Sequence, residues 1–139
     1  MGQLLRQTGK FRESVEAYQK ALHIDPTYAW AHNGCGLTYK AMGELRSASI
    51  CFRSAVRYQP DDLWIRYNLT EVLVDLGLYD EAVDSARLII KKNPDHALAW
   101  AKLGQALRYL KRSEEALVAY NRAIALQPGY TWAINGRGI

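Results

Sequence analysis

All four prolines of this 139-residue chain, Pro26, Pro60, Pro94 and Pro128, stand 34 residues apart with no drift. Proline lacks the N–H that a helix interior needs, and its ring turns the preceding residue away from helical geometry. A terminator recurring at one fixed interval means that one structural unit is copied along the chain. A period of this length is the signature of solenoid or array architectures.

Alignment on the prolines brings out the rest of the unit. Gly2, Gly36, Thr70, Gly104 and Gly138 share one register position, and Tyr39, Leu73 and Leu107 follow at another. Gly9, Gly43 and Gly77 come next, with Lys111 in their place in the fourth copy. Ser14, Ala48, Ala82 and Ala116 recur, then Tyr18, Phe52, Ala86 and Tyr120, then Ala21, Ala55, Ile89 and Ala123. Apolar residues within a copy keep helical spacing, as in Ile65, Leu69, Val72, Leu73 and Leu76. A glycine interrupts them, and a second amphipathic run follows, as in Ala82, Val83, Ala86, Ile89 and Ile90. Each copy is therefore a pair of helices that buries its apolar face only against neighbouring copies.

The arrangement resembles the tetratricopeptide repeat. Trp100, Leu103 and Gly104 carry the opening of its pattern; Gly36, Tyr39, Gly43, Ala48, Phe52, Ala55 and Pro60 carry the remainder. The resemblance implies an all-α fold, a right-handed α-solenoid of antiparallel helix pairs. Its divisions are a partial first repeat at 1–28, repeats at 29–62, 63–96 and 97–130, and the start of another at 131–139. The third copy departs from the pattern with Arg66, Thr70 and Ala86, which predicts looser packing there. The incomplete ends point to a piece of a longer protein, or to ends that dock head to tail on one another.

Composition excludes several classes. A net charge of +4 is modest, and no stretch reaches the roughly 20 apolar residues of a membrane span. The amino terminus has no signal-peptide core, and Arg6 disfavours myristoylation. Cys35 and Cys51 make neither a disulfide framework nor a metal set; as reduced thiols they point to a cytoplasmic location. His23, His32 and His96 lack metal-ligand spacing, and His32 falls on the core-facing stripe. Gly34-Cys35-Gly36 has no preceding strand and is not a phosphate loop. Asp80-Glu81 and Glu114-Glu115 open second helices, where acidic side chains favour the helix dipole rather than acid–base chemistry. Asn68-Leu69-Thr70 matches a glycosylation acceptor but falls within a helix. No nucleophile, base and orienting group come together, so neither an enzyme nor a cofactor or metal is expected.

The first helices carry a second stripe besides the core one. It holds Trp30, Asn33, Leu37 and Lys40 in one copy and Trp64, Tyr67, Asn68, Glu71 and Asp75 in the next. Leu98, Lys102, Gln105, Arg108 and Tyr109 carry it in the copy after that. The resemblance implies that these positions line a concave groove. Trp30, Trp64 and Trp132 share one register position; they either anchor a partner or pack against the adjacent repeat. With Arg6, Lys40, Lys102 and Arg108 against Glu71 and Asp75, the stripe predicts an aromatic, amide-bearing, mildly basic groove. A protein segment with apolar anchors and some acidic character suits it.

A family clamp for carboxy-terminal carboxylates is matched at Asn68 and Lys102 only, with Asn33, Leu37 and Leu98 in its other places. The expected function is a non-catalytic scaffold or adaptor for protein segments. Self-assembly through the ends is the alternative, and the acidic residues on the stripe argue against nucleic acid.

Overall fold

The computed structural model describes residues 10–127. Among them the chain forms seven α-helices and no strand. These are α1 (Phe11–Ile24), α2 (Ala29–Ala41), α3 (Leu45–Tyr58), α4 (Leu63–Asp75), α5 (Tyr79–Lys92), α6 (Ala97–Tyr109) and α7 (Ser113–Leu126). Two compact units divide the chain at Val72 and Leu73, within α4. In the first unit α2 packs against both α1 and α3; in the second α6 packs against both α5 and α7.

The two kinds of helix bury different amounts of themselves. The buried residues of α3 are Ala48, Ser49, Phe52 and Ala55, one stripe at helical spacing. By contrast, α6 buries Ala97, Ala99, Ala101, Leu103, Gly104, Ala106 and Leu107, which lie around most of its circumference. It is covered by a helix on each of two sides, so small residues suit it.

Glycine sets the closest approach. A Cβ at Gly36 would fall 2.5 Å from Cε1 of Phe52, and one at Gly104 would fall 3.0 Å from Cγ of Tyr120. In both cases the aromatic ring sits 16 residues after the glycine, on the following helix. At this register the third copy has Thr70 and Ala86, and both are fully buried. The looser packing predicted for that copy is not seen as exposure of either residue. The Thr70 hydroxyl donates to the Arg66 carbonyl at 2.8 Å. In the first unit the buried Thr38 hydroxyl donates to the Gly34 carbonyl at 2.9 Å and lies 3.0 Å from Ser14 Oγ, joining α1 to α2. Among the described residues no buried side-chain polar atom lacks a partner.

The turn inside each helix pair requires a left-handed residue. Gly43 and Gly77 have φ of 81° and 80°, and Lys111 takes the same role at 63°. The next residue's N–H reaches back five positions: Glu44 to Tyr39 (2.8 Å), Leu78 to Leu73 (2.9 Å) and Arg112 to Leu107 (2.9 Å). This is the glycine-ended helix cap, and lysine adopts it against steric repulsion at Cβ. Lys111→Gly is expected to raise stability by about 1 kcal/mol. The check is a higher urea midpoint at an unchanged slope.

Candidate functional site

In the first unit the stripe starts from the amino-terminal ends of α2 and α4. Asp62 caps α4, its Oδ1 accepting from the N–H groups of Trp64 (3.0 Å) and Ile65 (3.1 Å). Before α2, Oδ1 of Asp25 accepts from the Thr27 N–H (3.0 Å) and hydroxyl (2.7 Å). The Thr27 hydroxyl, and then its N–H, hold the Asp25 carboxyl below its usual value. These fixed turns present Trp30 and Trp64 outward, 50% and 62% exposed. Trp30 meets Tyr18 edge-on at 5.8 Å, and Trp64 meets Tyr67 edge-on at 5.9 Å. The two indoles line one recess of about 560 Å³ together with Asp25, Tyr28, Asn33, Gln59 and Asp62.

Tyr67 departs from its sequence assignment as a lining residue. It is buried to 8%, supports Trp64 with its ring, and donates its hydroxyl to Glu71 at 3.3 Å. The amides of the stripe pair across helices, Asn68 Nδ2 donating to Asn33 Oδ1 at 2.9 Å. Lys40 and Glu71 form a half-buried ion pair. The basic character expected of this part of the stripe is therefore cancelled where Lys40 stands.

The second unit holds the rest. Lys102 is half-buried and lies 3.4 Å from Gln105 Oε1. Burial lowers its pKa, and the Asp75 carboxylate opposes that shift. The Arg108 guanidinium lies 5.3 Å from the Tyr109 ring centre, and Tyr109 stacks on Tyr79 at 4.8 Å with the planes 7° apart. The structure thus gathers Trp30, Asn33, Lys40, Trp64, Asn68 and Glu71 in one unit and Lys102, Gln105, Arg108 and Tyr109 in the other. Arg6, Trp132 and the two chain ends lie outside the described residues.

The remaining chemistry-bearing residues serve the framework. His32 is half-buried rather than core: Nε2 donates to the Pro26 carbonyl at 2.9 Å and the ring stacks on Tyr58. Trp100 does the same two registers on, its indole N–H donating to the Pro94 carbonyl at 2.7 Å. Both stand six residues after a proline, one register position that alignment on the prolines brings together. Asp80, Glu81, Glu114 and Glu115 lie in first helical turns, and Arg112 grips Glu115 at 2.8 Å. Cys35 and Cys51 form a thiol pair. The contact with Cys51, and then burial, pushes the Cys35 thiol up, while Cys35 draws Cys51 down. Among the described residues no three His, Cys, Asp or Glu side chains could hold a metal ion. Nor is any helix among them long and apolar enough to cross a membrane.

His96 caps α6 by accepting the Ala99 N–H on Nδ1 at 3.2 Å. An imidazolium cannot accept there, and burial lowers the pKa from its ordinary 6.5. The unfolded chain then binds the proton more readily, so stability is full above about pH 6.5 and falls as pH drops towards the folded-state value. His96→Asn keeps a capping acceptor that does not titrate. A shallower loss of melting temperature between about pH 7 and 5 is expected for that variant; parallel profiles would show that His96 contributes nothing.

Comparison with known proteins follows this geometry. A tetratricopeptide repeat model matches residues 35–90 and 67–131, and a TPR repeat model matches 2–43. Protein FlbA of Caulobacter vibrioides is 26% identical over 130 residues, covering 94% of this chain and 22% of its own length. The peroxisomal targeting signal receptor of Saccharomyces cerevisiae is 38% identical over 70 residues, covering 45% of this chain and 11% of its own. The chain thus spans about a fifth or less of these two relatives. A crystal structure of MamA superposes with a TM-score of 0.92 at 25% identity, covering 99% of this chain and 81% of that one. With its helix pairs, left-handed turns and 34-residue register, the chain belongs to the tetratricopeptide repeat family of all-α solenoid protein-interaction modules.

Proposed function

We propose that the chain is a non-catalytic scaffold that takes a protein segment against the stripe of its first helices. The observation that carries this reading is the pair of half-exposed tryptophans, Trp30 and Trp64, opening on one recess. Large aromatic side chains held outward on a rigid framework are the usual anchors of interaction hot spots. Beside them Asn33 and Asn68 offer amide groups of the kind that pair with a peptide backbone. Similarity to a peroxisomal targeting signal receptor supports a segment-binding role. Because the Lys40 charge is met by Glu71, the first unit gives no support to an acidic segment; Lys102 and Arg108 would favour one only in the second.

The test is affinity capture from a lysate of the source organism, with wild type beside a Trp30→Ala/Trp64→Ala variant. A protein held by wild type and lost from the folded variant supports the stripe as the site. Equal capture by both would move the contact elsewhere. Recovery of only further copies of the chain would favour assembly through its ends.

A further inference from the structure

Resting on that reading, we infer that the recess between Trp30 and Trp64 is a seat for a cationic side chain, an arginine of the bound segment. Three observations converge on it. The recess has a volume of about 560 Å³, ample for a guanidinium and its methylene stem. Its apolar part is the Trp30, Trp64 and Tyr28 rings, each about half exposed, over buried Ala29 and Ile65, and indole faces attract cations more strongly than other aromatic rings. Its polar part is supplied by Asp25 and Asp62 with neutral Asn33, Gln59 and Thr27, and no lining residue is basic.

The carboxylates are placed and oriented before any ligand arrives. Asp25 and Asp62 each spend Oδ1 on the backbone of the following turn. No hydrogen bond among the described residues engages Oδ2 of either side chain. Those oxygens are acceptors on two residues that line the recess together with the aromatic side chains, the combination that a planar guanidinium with five N–H donors satisfies. An acidic or phosphorylated side chain would meet two like charges and no donor of positive charge. Lys40, the cation on the same stripe, is already paired with Glu71 and does not line the recess.

The test uses the tripeptide acetyl-Gly-Arg-Gly-amide, its citrulline counterpart, which keeps the shape and loses the charge, and the glutamate counterpart. Titration is followed at the indole N–H resonances of the four tryptophans. The arginine peptide should shift Trp30 and Trp64 with a millimolar Kd and leave Trp100, committed to Pro94, in place. Asp25→Asn/Asp62→Asn keeps the Asp25 turn and the Asp62 cap, since asparagine accepts the same backbone bonds, and should weaken binding about fivefold. Asp62→Ser serves as a second capped variant. Equal affinity for the citrulline peptide, an unchanged Kd in the asparagine variant, or no shift at Trp30 and Trp64 each overturns the cation seat. None of these three results touches the lysate capture, which judges the aromatic stripe by itself.

Discussion

Gly36→Ala should destabilise the protein by about 3 kcal/mol, the upper range for overfilling a packed core. The added Cβ would lie 2.5 Å from Cε1 and 2.7 Å from Cδ1 of Phe52. That ring is fully buried and has nowhere to retreat. The direction is diagnostic, because helix propensity alone makes glycine to alanine favourable by about 1 kcal/mol. Gly104 provides the internal comparison. There the Cβ meets Tyr120 at 3.0 Å, a contact relieved by a shift of a few tenths of an ångström, so Gly104→Ala should come out near neutral. Urea unfolding of both variants decides the matter. Adding Phe52→Leu to Gly36→Ala should recover part of the loss, because the smaller side chain clears the new methyl group. A Gly36→Ala protein as stable as wild type would show that the helices separate freely at this point.

Trp30→Ala/Trp64→Ala should weaken partner binding by about 100-fold or more, since exposed aromatic anchors commonly contribute 2 kcal/mol or more each. Its helical content should stay near that of wild type. Both indoles are at least half exposed, so truncation opens no closed cavity in the core. Tyr67→Ala, in contrast, removes a ring buried to 8% and is expected to lower stability along with binding. Isothermal titration with the captured partner, alongside circular dichroism, separates the two effects. Retained affinity in the folded double tryptophan variant would remove the stripe as the site.

Much of the framework was legible in the linear order of residues. The prolines, the glycines at Gly43 and Gly77, and the aromatic positions of Phe52 and Tyr120 are dictated by backbone geometry and close packing, which act within a few turns of chain. The stripe residues were legible as a register, but their environments were not. Tyr67 and Trp64 are three residues apart, yet one is buried and the other exposed, and helical periodicity alone does not separate them. Spacing puts His32 on the core-facing stripe, whereas in the fold it is half-buried and holds the Pro26 carbonyl. The recess residues Asp25, Tyr28, Gln59 and Asp62 were missed because they belong to the turns before helices, outside any helical stripe.

The sequence by itself determined the repeating helical unit, its 34-residue period and the glycine turns at Gly43 and Gly77, since each follows from local conformational preference repeated at a fixed interval. Only the tertiary structure decided what the side chains meet. It paired Lys40 with Glu71 and Asn33 with Asn68, buried Tyr67, and brought two aspartates from separate turns beside two tryptophans. Charge and exposure depend on distances between residues far apart in the chain, such as the 35 positions between Asn33 and Asn68, and those distances exist only after the helices have packed.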